Sequence, residues 1–213
     1  MSDRGIKILI ADDHAIVRRG LMQIVSEVPG MLVDEACNGL EAMNKVIENN
    51  YDVVLLDISM PGRSGLDILR AIKSKKPKLP VLMLSVHPEE QYAVRAIKAG
   101  ASGYLTKESA PDELIAAIKK ISSCGKYIST SLAEKLLCEL EPSDEKPSHE
   151  MLSDREYQVM CMFALGKTLK EIAKELSLSI QTISTYRMRI LEKMKMNTVA
   201  EVIRYAVKQK LVE

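Results

Sequence analysis

Val53-Val54-Leu55-Leu56-Asp57, followed closely by Pro61-Gly62, constrains this chain more than any other stretch. A short unbroken apolar run with β-branched members, ended by a turn signal, reads as a strand buried on both faces, as strands of helix-covered parallel sheets are. It closes on a carboxylate. Open α/β sheets hold their ligands beyond the carboxyl ends of the strands, so Asp57 stands where function is expected. Three other runs repeat the arrangement: Ile8 to Ala11 closes on Asp12 and Asp13, Val81 to Leu84 on Ser85, and Gly103 to Thr106 on Lys107. Four strands that each deliver a polar side chain to one sheet edge make coincidence a poor explanation.

Around these runs the first 122 residues alternate strand and helix patterns. The strands are expected near 7–11, 32–36, 51–57, 81–85 and 103–106, and the helices near 15–28, 39–49, 66–75, 89–99 and 111–122. Such βα repetition implies right-handed crossovers and a doubly wound five-stranded parallel sheet. Pro88 and Pro111 suit first-turn positions, and Gly100 suits a helix stop. A further amphipathic helix is expected at 130–140 on Leu132, Leu136, Leu137 and Leu140. Residues 141–148, with two prolines and no large apolar residue, read as a linker.

From 151 onward no strand pattern occurs. Ser153 with Glu156 forms a capping box ahead of Val159, Met160, Met162 and Phe163, and Gly166 ends that helix. Further helices are expected at 169–176, 180–194 and 198–208, and the short joint Ser177-Leu178-Ser179 is what a helix-turn-helix requires. The organisation is therefore an α/β domain at 1–125, a connecting helix and linker at 126–150, and a smaller all-α four-helix domain at 151–213.

Composition removes several classes of function. The four cysteines have no CxxC spacing and only three histidines accompany them, which disfavours structural zinc and a disulfide framework. Reduced thiols in the cytoplasm are the expectation. No run approaches the roughly 18 apolar residues of a membrane span. Trp is absent and aromatics are few, against single-strand binding by stacking. The net charge is +1, with the part after 148 mildly basic and the rest mildly acidic, which permits a nucleic-acid partner for the tail.

Asp12, Asp13 and Asp57 on neighbouring strands crowd like charges, a costly arrangement unless a cation joins them. Oxygen ligands select a hard ion, and few carboxylates completed by water and phosphate suit Mg²⁺. Lys107 adds a point charge and Ser85 a hydroxyl, and together these groups form a phosphoryl-transfer site with Asp57 as nucleophile. The same residues, with Tyr104 and the string ADDHAIVRRGL, resemble the receiver domain of two-component response regulators of the NarL/FixJ family. That resemblance implies a flavodoxin-like fold and phosphorylation of Asp57 by a sensor histidine kinase. Mg²⁺ would be held by Asp13, Asp57 and the Ser59 carbonyl, with Asp12 assisting through water. Ser85 and Tyr104 would form a switch pair, and catalysis would be limited to self-phosphorylation and autodephosphorylation. Glu108 replaces the proline that follows the lysine in many receivers. His87, two beyond Ser85, stands where receivers influence the water that attacks the phosphate, and His14 is assigned no role.

In the helix at 180–194, Ile183, Ile190 and Met194, with Tyr186 beside them, form the expected core side. Gln181, Ser184, Thr185, Met188, Arg189 and Glu192 face the other way. Hydroxyls, an amide and Arg presented after a short turn suit a major groove. The tail resembles the LuxR-type DNA-binding domain. Carried over, Ser184, Thr185 and Met188 approach bases, whereas Lys170, Thr182, Arg187 or Arg189, and Lys193 approach phosphates. Val199, Val202, Ile203 and Ala206 on the last helix imply a homodimer when phosphorylated or DNA-bound, or equally a stripe that packs on the domain's own core.

Two rivals accompany this reading. A Mg²⁺-dependent phosphatase would use the same acidic edge, although Ser59 stands where the DxD acid/base of haloacid dehalogenase-type phosphatases belongs. An adaptor would bind protein through the helical tail. Gly166-Lys167-Thr168 imitates the end of a P-loop, but the earlier glycine is Cys161.

Overall fold

In the computed structural model, residues 5–123, 125–138, 148–209 and 211–212 are described. The chain divides into two compact units, one ending at Leu136 and the other beginning at Leu137.

The first unit alternates β1 (Ile6–Ala11), α1 (Ala15–Ser26), β2 (Met31–Ala36), α2 (Gly39–Glu48), β3 (Val53–Asp57), α3 (Gly65–Lys75), β4 (Val81–Ser85), α4 (Glu89–Lys98), β5 (Gly103–Thr106) and α5 (Ala110–Ser122). All strand pairs are parallel, in the order β2-β1-β3-β4-β5. Chain order reverses between β1 and β3, the crevice where doubly wound sheets bind ligands. Every residue of β3 and β4 is buried, as their unbroken apolar runs require. On one face Ile8, Ile10, Leu55, Leu82 and Leu84 pack against Leu21, Val25, Leu114, Ile118 and Ile121 of α1 and α5.

Register carries the polar strand ends to one edge. Ala11 pairs with Leu56, Asp57 with Leu84, and Ser85 with Thr106, so the residues after β1 and β5 flank the end of β3. Beneath that edge Gly65 opens α3 directly against β3. Its amide donates to the Ile58 carbonyl, and a Cβ there would overlap the Asp57 carbonyl oxygen. Glycine is required by this close approach of helix to strand end.

Punctuation differs in detail from expectation. Pro111 lies in the first turn of α5, but Pro88 is the N-cap residue of α4 and precedes the helix. Gly100 stops α4 at φ +101°. After α5, Tyr127 forms a parallel bridge to Gly103 at the sheet edge, and α6 (Thr130–Cys138) follows. Leu140 and the linker expected at 141–148 lie outside the described residues, except that Ser148 begins a short 3-10 turn, Ser148–Met151, which the sequence reading did not anticipate.

The second unit contains α7 (Asp154–Ala164), α8 (Leu169–Glu175), α9 (Ile180–Met194) and α10 (Val199–Lys208). Side-chain N-caps begin all four: Ser153, Thr168, Ser179 and Thr198 each accept from the backbone N–H three residues on. Ser153 and Thr168 complete capping boxes with Glu156 and Glu171. The tight turn between α8 and α9 places Ser177 at φ +52°. Packing of α10 on α7 and α9 buries Val202 and Ala206, while Val199 and Ile203 stay half-buried, so half of that stripe belongs to the unit's own core.

Candidate functional site

At the carboxyl edge of the sheet Asp12 and Asp57 are wholly buried and Lys107 spans them. Its ammonium lies 2.7 Å from Asp12 Oδ2 and 3.0 Å from Asp57 Oδ2. The Lys107 amide donates to the Ser85 carbonyl, which fixes the lysine's backbone to the end of β4. Both Asp57 carboxylate oxygens, Asp13 Oδ1 and Ser59 Oγ are buried; Asp57 Oδ2 faces Lys107 and Asp13 Oδ1 faces His14, which leaves Asp57 Oδ1 and Ser59 Oγ with the fewest partners among the described residues. Buried acceptors of this kind cost free energy, so their persistence together points to a cationic or donor-rich visitor. Burial pushes the Asp57 carboxyl above the usual carboxylate range; Lys107 opposes that shift and Asp12 adds to it. For Lys107 burial alone would lower the ammonium, but Asp57 and Asp12 outweigh it and the net shift is upward. The lysine therefore stays charged.

Ligand atoms of Asp12, Asp13, His14 and Asp57 all lie within 4.8 Å of one another, a set that could hold a metal ion. His14 lies beside the acids but is 60% exposed at the start of α1, as expected of it. Its amide donates to Asp12 Oδ1 at 2.8 Å, and Nδ1 lies 3.1 Å from Asp13 Oδ1. Arg18, not anticipated, donates from NH1 to the Asp12 carbonyl and from Nε to Glu35. A helix that starts directly after the paired acids was the available signal: His14 is its N-cap residue, and Arg18 lies one turn further on.

Ser85 is buried, and its Oγ accepts from the His87 amide at 2.9 Å. The Tyr104 ring is already inward at 3% exposure, with its hydroxyl donating to the His87 carbonyl at 2.9 Å. Ser85 and Tyr104 thus meet on the same backbone residue, and the His87 ring itself packs on Tyr92.

In the second unit, Ile183, Ile190 and Met194 of α9 are buried and Tyr186 is half-buried. Gln181, Thr185, Met188, Arg189 and Glu192 are exposed, with Ser184 and Arg187 half-buried beside them, and Lys170 is exposed on α8. Met188 is 66% exposed, unusual for so apolar a side chain on a packed unit. Two of the residues expected at phosphates have partners of their own. Thr182 bonds to the Ser179 hydroxyl, and Lys193 reaches Glu156 Oε2 at 2.6 Å. Glu156 is buried and also accepts from the Ser153 amide, so Lys193 completes the α7 cap.

A five-stranded 2-1-3-4-5 sheet with buried acids bridged by lysine at its switch point, joined to a helix-turn-helix unit, defines a phospho-acceptor type of regulator. Comparison with known proteins agrees. Residues 8–119 match the response regulator receiver domain, and residues 150–206 match the luxR family of bacterial regulatory proteins. The response regulator UvrY of Escherichia coli K12 is 36% identical over 97% of this chain and 95% of its own length. The oxygen regulatory protein NreC of Staphylococcus epidermidis is 35% identical over 98% of this chain and all of its own. Among solved structures, RcsB of Salmonella enterica bound to promoter rprA with the phosphomimetic BeF3⁻ aligns over 95% of this chain and 99% of its own, with a TM-score of 0.63 and 25% identity. The chain belongs to the NarL/FixJ family of response regulators, with a receiver domain and a LuxR-type DNA-binding domain. Among the described residues no helix is long and apolar enough to cross a membrane.

Proposed function

We propose that Asp57 accepts a phosphoryl group from a sensor histidine kinase and that this modification controls binding of α9 to double-stranded promoter DNA. One observation carries the reading: a wholly buried carboxylate at the switch point, one oxygen of which faces a lysine at 3.0 Å. An Asp57 oxygen attacks phosphorus while the P–N bond of a phosphohistidine breaks, and the leaving imidazole takes up a proton. The same nucleophile serves self-phosphorylation from a small acyl phosphate, whose carboxylate leaves as its P–O bond breaks; water attacking phosphorus later breaks the Asp57 O–P bond and releases inorganic phosphate. Mg²⁺ fits the donor set, because Asp12, Asp13 and Asp57 bring hard carboxylate oxygens within 4.8 Å of one another. Asp13, Asp57 and the Ser59 carbonyl would hold the ion, with Asp12 through water. When bound it neutralises the crowded carboxylates and the incoming phosphoryl oxygens.

Lys107 then has a phosphoryl oxygen to pair with in place of a carboxylate, and the Ser85 hydroxyl, whose oxygen accepts from the His87 amide, donates its proton to another. Tyr104, bonded to the same residue, registers that change. Ile16, 88% exposed in the first turn of α1, offers an apolar contact for a kinase beside the acids. For the second unit, Ser184, Thr185 and Met188 would face bases, with Gln181 at the helix start; Lys170, Thr182, Arg187 and Arg189 would face phosphates. Lys193 is assigned to Glu156 first. The solved complexes of RcsB include two dimers bound to two parallel DNAs, and the same homodimeric use of DNA is proposed here, through what α10 leaves uncovered. The domain limits 1–125, 126–150 and 151–213 are retained, and a cytoplasmic location follows from the role.

Incubation with acetyl phosphate and Mg²⁺, followed by intact-mass measurement and duplex binding, tests the proposal. A phosphoryl adduct on wild type, none on Asp57→Asn, and tighter duplex binding only by the adduct are expected. An adduct on Asp57→Asn, or equal duplex affinity with and without phosphate, would overturn it.

A further inference from the structure

Opposite the acidic edge, at the amino ends of β4 and β5, a cavity of about 490 Å³ lies between the ends of α3 and α5. Lys73, Lys78 and Lys126 line it with Ser102, Ile121 and two prolines, and among the described residues no acid takes part. The volume falls within the range of small-ligand sites. Lys73 is half-buried and Lys126 is exposed, and each donates to a backbone carbonyl: Lys73 to that of Leu79 at 2.6 Å and Lys126 to that of Ala101 at 2.6 Å. Among the described residues neither has an ion-pair partner. A half-buried ammonium such as that of Lys73 normally finds a carboxylate, and a second lysine in the same cavity adds repulsion. The shifts agree: burial lowers Lys73, Lys126 lowers it further, and burial lowers Lys126.

The bland explanation is that these lysines only cap carbonyls near helix ends, where the partial negative charge of the macrodipole favours cations. That accounts for one N–H of Lys126 and for Lys73's bond to Leu79, with a longer approach to Pro77 at 3.5 Å. It leaves donors over, since an ammonium has three. Lys78, exposed at the rim, is not needed for capping at all. Half-charges at helix ends, confined to a single turn, do not neutralise three full charges.

We infer that this cavity binds a small phosphate monoester, its dianion held among Lys73, Lys78 and Lys126 and its apolar part against Ile121 and the prolines. A dianion with three terminal oxygens matches three point charges better than a carboxylate does. The site is remote from Asp57 and independent of the phosphorylation reading.

The test uses the full chain without Mg²⁺, with phenyl phosphate, benzoate and phenol as probes and backbone amide shifts of Gly100, Ser102 and Gly125 as readout. Phenyl phosphate is expected to shift these amides saturably, with at least tenfold weaker binding in Lys78→Glu and in Lys126→Gln, and unchanged binding in Asp57→Asn. Because Lys78 is exposed, Lys78→Glu keeps the test valid even if Lys126→Gln unfolds. Equal shifts with phenol, equal affinity for benzoate, unsaturable shifts, or undiminished binding by Lys78→Glu would each overturn the inference.

Discussion

The two ends of this chain handle charge in opposite ways. At the sheet edge Asp12, Asp57 and Lys107 are removed from water and fixed on one another, whereas on α9 Gln181, Thr185, Met188 and Arg189 stand in solvent with few partners. Covalent chemistry gains from desolvation, because a charge in a dry site acts strongly on what is bound. Reading a duplex needs side chains free to meet an outside surface. The sheet edge accordingly tolerates almost no change of residue type, while the helix face tolerates many and alters preference with each.

The contrast breaks most visibly at Lys107. Replacing it by Met leaves Asp12 and Asp57 as uncompensated neighbours and removes the charge meant for a phosphoryl oxygen. Phosphorylation by acetyl phosphate, followed by intact mass, is expected to slow about 100-fold, the usual scale for one preorganised charge. A rate within threefold of wild type would show that desolvation around this lysine is incidental.

The same contrast explains what was legible beforehand. Unbroken apolar runs specify buried parallel strands, and the side-chain period together with the register then brings their terminal residues to one edge. Asp12, Asp57, Ser85 and Lys107 could therefore be located from Val53–Asp57 and its three counterparts alone. Arg18 was legible only as a position one turn into the helix after the acids; its bonds to the Asp12 carbonyl and Glu35 depend on tertiary placement. Lys193 shows a tertiary pairing that spacing does not carry. Helical spacing puts it beside the DNA-facing residues, but its long side chain bends back to a buried Glu156 on a different helix, and such tertiary pairing leaves no local pattern.

Lys193→Met sharpens this point. It strips Glu156 of its cation while the Ser153 amide remains, and Glu156 is buried. Because the Lys193 side chain is 38% exposed, water takes up part of the loss, and a cost of about 1–2 kcal/mol is expected in denaturant melts of the chain. Burial raises Glu156, but Lys193 and Ser153 outweigh it and its net shift is downward. Its stabilising contribution is therefore present above the ordinary Glu range and disappears as pH falls through the lowered value. A deficit in Lys193→Met that persists undiminished at low pH would mean the pair is not its source.

On the open face, Arg189→Ala removes one charge without touching the core. Duplex affinity is expected to fall about fivefold to tenfold, alike for all sequences, with the slope of log affinity against log salt smaller by about one. Thr185→Ala should instead change which duplexes a random pool yields. If Arg189→Ala alters sequence choice and leaves the salt slope alone, phosphate and base roles on α9 are exchanged.

The smallest effect has the least intuitive sign. Asp57 is raised in the folded chain, chiefly by burial. Between the unfolded value near 3.8 and the folded one, the folded state holds a proton that the unfolded state has lost, so stability declines as pH climbs through that window. Above it the penalty is constant, and Asp57 is a residue the fold carries at a loss. Asp57→Asn keeps the shape, removes the charge and leaves Lys107 its bond to Asp12. It is expected to melt a few degrees higher at neutral pH, about 1 kcal/mol, with the gain fading as pH drops below the carboxylate range. Mg²⁺ should oppose the difference: in raising wild type through mass action while doing less for the variant, it closes the gap from the other side. A variant that melts lower than wild type at neutral pH would mean that Lys107 stabilises the ionised Asp57 by more than burial costs it, and the sheet edge would then be a stable ion pair instead of a site held ready for phosphate.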